Sequence, residues 1–353
     1  MISIFEHIEK FRKVILLSSS LFLTLLIGIL DVATGAELSV SLFYLIPIAI
    51  CSWFINKTSG LFFSLLSAVI WFIADALTNN YSHPLIPYWN TLILLGSFVT
   101  VSLILSALRN AIDMENNLAI RVQQGLLPRQ APTFPGYEIS IVWKPKSFVS
   151  GDYYDFMNLE NDRLGICIGD VTGHGVAAAL LMSNLLTATR FLSRHNNASD
   201  KICYHLNNSI FENAIPEKFA TFFYGIINLN NNSLEYTNAG HPPSIIIDHN
   251  GNIKKLESGG TVIGVARNQE YKNEIVPLSS GDKIVFYTDG LIEAKNLAGD
   301  MFGEERFIQS CLESSSLNAE EMSKKIIQSA SKFCNGRFDD DITLLIITYT
   351  IKE

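Results

Sequence analysis

Four apolar stretches occupy the first third of the chain, at about Val14 to Leu30, Leu38 to Ile55, Gly60 to Leu77 and Trp89 to Leu108. Each comes close to the roughly 20 residues that a helix needs to cross a bilayer, two of them falling a little short. Four such runs in succession restrict this part of the chain to a bundle of membrane helices. Basic residues precede the first run, as in a secretory leader, but its apolar stretch is long for one and three more runs follow. Orientation comes from the positive charges. Lys10, Arg12 and Lys13 lie before the first run, Lys57 between the second and third, and Arg109 and Arg121 after the fourth. The other two loops, one with Asp31 and Glu37 and one over Asn79 to Pro87, contain no Lys or Arg. The expectation is a multi-pass protein with both termini in the cytoplasm. Asp31, Thr34, Glu37, Asp75, His83 and Trp89 at the outer edges form either an external ligand site or ordinary interfacial residues.

Charge divides the chain at the same place. Residues 1–110 balance five basic against five acidic side chains, so the remaining 21 basic and 29 acidic residues carry the whole net charge of −8. An acidic cytosolic portion argues against nucleic acid as a partner. Cys51, Cys167, Cys203, Cys311 and Cys334 lack the paired spacing of a metal site and suit a reduced compartment. Ser106 to Gln124 is polar, with Ile104, Leu108, Ala111, Leu118 and Val122 on a seam of alternating four- and three-residue steps that passes through Glu115. This reads either as a short coiled coil, which makes a homodimer the expected assembly, or as a helix packed on the following domain. Gly125, Pro128, Pro132, Pro135 and Gly136 end it. The expected division is a membrane module over 1–108, a linker helix over 109–130 and a cytosolic domain over 131–353.

In that domain, Leu164, Ile166 and Ile168 alternate with smaller residues as in a strand and run into Gly169, Asp170, Val171, Thr172, Gly173, His174 and Gly175; a glycine-free helical pattern begins at Val176. Glycines let backbone approach a ligand closely, and the carboxylate is held at a rigid strand end. A plain strand-to-helix turn has the same composition. Recurrence favours the chemical reading. Ile284 to Tyr287 runs into Asp289 and Gly290; Asp339, Asp340 and Asp341 lead into the apolar run from Ile342; and Ser150, Gly151, Asp152 precede Tyr153, Tyr154 and Asp155. Carboxylates gathered at several strand ends repel one another unless cations sit among them. Oxygen ligands without Cys or His fit the hard ions Mg2+ or Mn2+.

Strand-like runs are expected at Tyr137 to Trp143, Leu164 to Ile168, Ala220 to Leu229, Leu234 to Asn238, Ile245 to Ile247, Ile284 to Tyr287 and Thr343 to Thr350. Asn230 to Ser233 supplies a hairpin turn. Helices are expected at Val176 to Arg194, Lys201 to Ala214, Glu304 to Cys311 and Ala319 to Phe333. The pattern is an α+β domain of packed sheets flanked by helices.

Six ordered motifs resemble the signatures of the metal-dependent protein phosphatase (PPM) superfamily, in the bacterial branch typified by RsbU and SpoIIE. They are Gln124-x-Leu126-Leu127-Pro128, Gly151-Asp152-Tyr153-Tyr154-Asp155, Gly169 to Gly175, Ala239-Gly240-His241-Pro242-Pro243, Thr288-Asp289-Gly290, and Asp340-Asp341-Ile342-Thr343-Leu344-Leu345. Asp31, Thr34, Gly35 and Glu37 with Tyr44, Pro47 and Trp53 loosely resemble a four-helix membrane module found ahead of bacterial signalling domains. The resemblance implies an α-β-β-α sandwich with two Mn2+ or Mg2+ ions at one edge. Asp170 would bridge both ions, Asp289 and Asp340 would complete one shell, and Asp152 with the Val171 carbonyl would bind the other. It also implies a serine/threonine protein phosphatase of the bacterial inner membrane, acting on a phosphorylated anti-sigma-factor antagonist or similar regulator. Two cations sharing a water lower its pKa and neutralise charge on the phosphoryl group, so no protein nucleophile is needed. Asp339 or Asp341 is the alternative to Asp340 in the triplet. His174 and His241 are either loop-fixing residues or, for His174, a general acid. Asp155 and Glu293 are either supporting groups around the ligands or a weak further metal site. The competing class is a non-catalytic membrane receptor whose phosphatase-like domain binds a partner; hydrolysis of a small phosphoester is a third reading, against which no nucleotide-binding loop is found.

Overall fold

The computed structural model describes residues 2–35, 40–79, 81–128, 130–173, 175–195, 198–213 and 218–350. Two compact units result, Met1–Asn116 and Asn117–Glu353. In the first, α1 (Ile2–Thr34), α2 (Leu45–Phe54), α3 (Lys57–Thr78) and the start of α4 (Ile86–Leu126) account for the four apolar runs. Residues 38–39 at the head of the second run lie outside the described residues, and its helical part, Ser41–Phe54 including a 3-10 turn, is the short one. Ten residues of α2 rise only about 15 Å. By length and composition α1, α3 and α4 are candidate membrane spans, over Phe11–Thr34, Lys57–Thr78 and Ile86–Leu126.

Packing inside this unit rests on small and hydroxyl residues. Ser52 and Ser102 share a 2.9 Å hydrogen bond, and a Cβ on Gly60 would run into both. Helices that lack a hydrophobic drive to associate in lipid come together in this way. Tyr44, Ile48, Phe63 and Phe98 are buried within the unit while Phe22, Ile29, Phe62 and Leu77 face outward, the reverse of a water-soluble bundle. Asn56 caps α3 through its side-chain oxygen, which accepts from Ser59 N at 2.7 Å.

In the second unit, strand alternation creates the layers. The first sheet runs β1 (Tyr137–Lys144), β11 (Ile342–Tyr349), β10 (Lys283–Tyr287), β6 (Ser244–Ile247), β7 (Ile253–Leu256). The second runs β2 (Tyr153–Leu159), β3 (Arg163–Val171), β4 (Ala220–Asn228), β5 (Ser233–Ala239), β8 (Gly259–Gly260), with β9 (Glu274–Pro277) also on β5. Along β11, Leu345 and Ile347 join the core shared with the second sheet. Ile342, Leu344 and Ile346 instead pack with α8 (Gly303–Glu313) and α9 (Ala319–Phe333). On the other side α5 (Val176–His195) and α6 (Ser199–Asn213) cover β2 to β5. This is the expected α-β-β-α sandwich. Helix α5 is apolar enough to resemble a membrane span, but Ala178, Met182 and Leu185 are buried in the sandwich core.

Strand β2 was not among the expected strands, because its inward positions include Asp155, buried at 2% exposure. Arg190 of α5 resolves this: its Nε lies 2.6 Å from Asp155 Oδ2, and its Nη2 donates to the Leu126 carbonyl at 3.0 Å. Asp155 is therefore half of a buried ion pair. Arg190→Ala strands a buried carboxylate, and urea denaturation of the 117–353 unit is expected to show a loss of about 2 kcal/mol, with recovery in Arg190→Ala/Asp155→Asn.

Candidate active site

Strand registers bring the acidic motifs to one end of the sandwich. Tyr153 pairs with Gly169, so Asp152 and Asp170 fall side by side at the ends of β2 and β3. Tyr287 pairs with Leu344, and Thr288 N donates to the Thr343 carbonyl at 3.0 Å, so Asp289, opening the short helix α7 (Asp289–Ile292), comes beside the 339–341 triplet. Two hydroxyls tie one sheet to the other: Thr288 Oγ1 and Thr343 Oγ1 donate to Asp152 Oδ2 at 2.9 and 2.6 Å. Gly173 and Gly175 adopt φ of 89° and 79° in the turn after β3, a conformation that glycine enters without cost. At Gly151 the requirement is space, since a Cβ there would sit 2.9 Å from the Val171 carbonyl and 3.2 Å from Asp170 Oδ1.

Burial and neighbouring carboxylates dominate the field here. Asp170 is pushed up to about 8, first by burial and then by Asp289, Asp340 and Asp341. Burial, and Asp170 after it, holds Asp152 well above the usual carboxylate range. Asp289 is raised by burial, Glu293 and Asp340. Among the described residues no three such side chains converge closely enough to form a metal shell alone. The donor set is nevertheless entirely oxygen, and its mutual repulsion is what a divalent cation relieves.

The members of the triplet differ in their hydrogen bonds and burial. Asp341 is buried and its carboxylate accepts from Lys146 N at 2.7 Å and Gly151 N at 2.8 Å. Asp340 is exposed and faces Asp170 and Asp289 electrostatically. Asp339 is exposed as well. His241 is a buried neutral imidazole, lowered to about 3 by burial. Its backbone N–H donates to Asn238 Oδ1 and its Nδ1 lies 2.9 Å from Thr221 Oγ1, so it fixes the turn after β5. His174 lies outside the described residues. Glu293 is exposed and acts on Asp289 from outside.

Two contributors escaped the sequence. Gln123, not Gln124, is the buried glutamine at the end of α4: its Nε2 donates to the Ser150 carbonyl at 2.7 Å and its Oε1 accepts from Ser150 N at 2.9 Å. A period-3.6 count places Gln123 on a different face from Gln124, which is the one signal that distinguishes them. Lys218 donates to the Thr172 carbonyl at 2.8 Å, bringing a cation to the Gly169–Gly175 turn.

Comparison with known proteins agrees with this architecture. The SpoIIE family profile, described as Stage II sporulation protein E, matches residues 160–350. Phosphoserine phosphatase RsbU of Bacillus subtilis is 31% identical over 245 residues, 69% of this chain and 72% of the relative. The structure of the RsbU and RsbW domains of Rv1364c from Mycobacterium tuberculosis is 27% identical with a TM-score of 0.53, covering 63% of this chain and 62% of that one. The SiaA PP2C domain of Pseudomonas aeruginosa, 22% identical, shares the fold with a TM-score of 0.62 over 69% of this chain and 99% of its own. Two further curated relatives are covered over only 42% and 40% of their length. Sandwich and relatives together define a PP2C-type protein serine/threonine phosphatase. The chain belongs to the SpoIIE family.

Because folding raises the Asp170 pKa from 3.8 to about 8, the stability it contributes is present below about pH 4 and is lost as pH climbs towards 8. Asp170→Asn carries no such penalty. In EDTA it is expected to unfold later than the parent at pH 8, by on the order of 5 kcal/mol, and to match it near pH 4; equal midpoints at both pH values would contradict the assignment of the field.

Proposed function

We propose that this chain is a membrane-anchored phosphatase that removes phosphate from phosphoserine or phosphothreonine on a small bacterial signalling protein of the anti-sigma-factor antagonist type. The observation that carries the catalytic part is the gathering of Asp152, Asp170 and Asp289 with the 339–341 triplet at one end of the sandwich, where Asp170 is raised first by burial and then by Asp289, Asp340 and Asp341. Two Mn2+ or Mg2+ ions would be held by Asp152, Asp170, the Val171 carbonyl, Asp289 and Asp340. Bound there, they would supply an activated water and neutralise charge on the phosphoryl oxygens. The chain's own residues do the positioning. Thr288 and Thr343 aim Asp152, Gly151 leaves the Val171 carbonyl uncovered, Asp341 fixes the Gly151 loop, and Lys218 offers a cation for the substrate phosphate. No buried cysteine takes part: burial pushes the Cys167, Cys203 and Cys311 thiols up, away from a reactive thiolate.

The same reading assigns 1–108 to a membrane module with its outer loops away from the cytoplasm, 109–130 to the linker and 131–353 to catalysis in the cytoplasm. Supporting it are the outward apolar residues of the first unit and the run of α4 through the linker. Ile104, Leu108, Ala111, Leu118 and Val122 are all exposed on α4, a stripe that suits a second copy of the chain in a homodimer.

Phosphate release from p-nitrophenyl phosphate by the full chain should depend on Mn2+ or Mg2+, stop in EDTA and fall at least about a thousandfold in Asp170→Asn. Silence in every metal, with signalling intact in Asp170→Asn cells, would favour the receptor reading. Gln123→Ala should shift half-activation to roughly tenfold higher Mn2+ while leaving the rate at saturating metal close to the parent's. An unchanged metal requirement would separate α4 from the site.

A further inference from the structure

Beside the Ser52–Ser102 contact, α2 and α4 leave a groove of about 490 Å³ that nothing in the phosphatase reading uses. Its walls are aliphatic and aromatic, built from Leu45, Ala49, Trp53 and Phe54 of α2 and Leu105 of α4, among others. Ile46 and Phe54 on its rim are exposed, so the groove opens on the outward apolar surface of the unit. It follows α2 from Leu45, the first residue of that helix, to Phe54, the last. Ten helical residues rise about 15 Å, half of a hydrocarbon core of about 30 Å. The groove therefore has the length of one leaflet.

Positive charge is joined to the groove at one end. Arg109 lies one turn beyond Leu105 on α4, and its guanidinium carbon is 6.0 Å from the centre of the Trp53 ring. Its Nη1 donates to the Trp53 carbonyl at 3.3 Å, so the cation is bonded to a residue that forms the groove wall. Asp113 takes its Nε at 2.8 Å, and its Nη2 has no partner among the described residues. Lys57, which opens α3 three residues after Phe54, is exposed and also without a partner among the described residues. Two cations against one carboxylate leave this end positive. No Lys or Arg occurs over 14–56 or 58–108, so the Leu45 end lacks fixed positive charge. Tryptophan and arginine together are the composition of a membrane–water interface. A neutral chain would leave these cations unanswered, and a free phosphate would leave the groove empty.

We propose that the groove between α2 and α4 holds an acyl chain of an anionic glycerophospholipid from the cytoplasmic leaflet. Arg109 and Lys57 meet its phosphate, and Asp113 competes with that phosphate for Arg109. The inference rests on the reading of 1–108 as a membrane module and is independent of the phosphatase centre.

The test uses the full chain. Reconstituted with phosphatidylcholine alone it is expected to float with the vesicles; failure to float overturns the membrane reading and the proposal with it. In dodecyl maltoside the chain is then titrated with dioleoylphosphatidylglycerol, dioleoylphosphatidylcholine and glycerol phosphate, with the thermal unfolding midpoint and native mass spectrometry of bound lipid as readouts. Phosphatidylglycerol is expected to bind saturably and raise the midpoint, at least about fivefold more tightly than phosphatidylcholine. Glycerol phosphate should do neither. Arg109→Gln and Lys57→Gln should each weaken binding about fivefold. The Arg109 and Asp113 side chains are 40% exposed and Lys57 is exposed, so these variants should fold. Asp113→Asn should tighten binding by freeing Arg109, whereas a merely structural ion pair would move both partners' variants the same way. Ala49→Trp fills the groove, keeps every charge and should abolish binding. Equal affinity for the two lipids, saturation by glycerol phosphate, weaker binding in Asp113→Asn, or undiminished binding in Arg109→Gln and Ala49→Trp would overturn the proposal while flotation leaves the membrane reading intact.

Discussion

Repulsion among carboxylates at the end of the sandwich is the constraint around which the second unit is arranged. Asp152, Asp170, Asp289 and Asp340 come from four separate stretches of chain, and folding must hold them together against their own field. The means are local and neutral. Two threonine hydroxyls bind Asp152 across the sheets, and two backbone N–H groups occupy Asp341. Each such bond is worth about 1 kcal/mol or somewhat more where one partner is charged, individually modest beside the cost of gathering the acids. The large shared core beneath them, with Phe222, Phe223, Phe286 and Leu345, supplies the rest.

Much of this was readable before any coordinates. Strands that read as apolar runs, such as β1, β4 and β10, fall within a residue of where the sequence puts them, and α9 occupies Ala319–Phe333 as expected. What escaped did so for physical reasons. In β2 an ion pair takes the place of an apolar inward residue, and in β7 Lys254 and Lys255 interrupt a four-residue strand. The second apolar run contains a 3-10 turn and only ten residues of α-helix. Neither break has a composition that periodicity can detect. Within the site, three consecutive aspartates look alike in sequence. Only the hydrogen bonds from Lys146 and Gly151 tell Asp341 from Asp340, and those depend on residues about 190 positions away.

The two units solve opposite solvent problems with the same residue types. The sandwich hides Phe and Ile and exposes Lys and Glu, whereas the first unit places Ser52, Ser64, Ser67 and Ser102 inside and Phe and Leu outside. Serine and glycine there allow close helix contact; Ser64 donates its hydroxyl hydrogen to the Gly60 carbonyl, and outward hydroxyls such as Ser97 and Thr100 likewise donate to carbonyls one turn back.

The join between Gln123 and Ser150 is made by an amide and a peptide group, neither of which titrates or carries charge. The contact is therefore held by geometry and hydrogen bonding and not by charge. Its strength should be nearly indifferent to ionic strength and to cytoplasmic pH, unlike an ion pair, which weakens as salt rises. The Ser150 turn therefore stays tied to the end of α4 across a wide range of salt and pH.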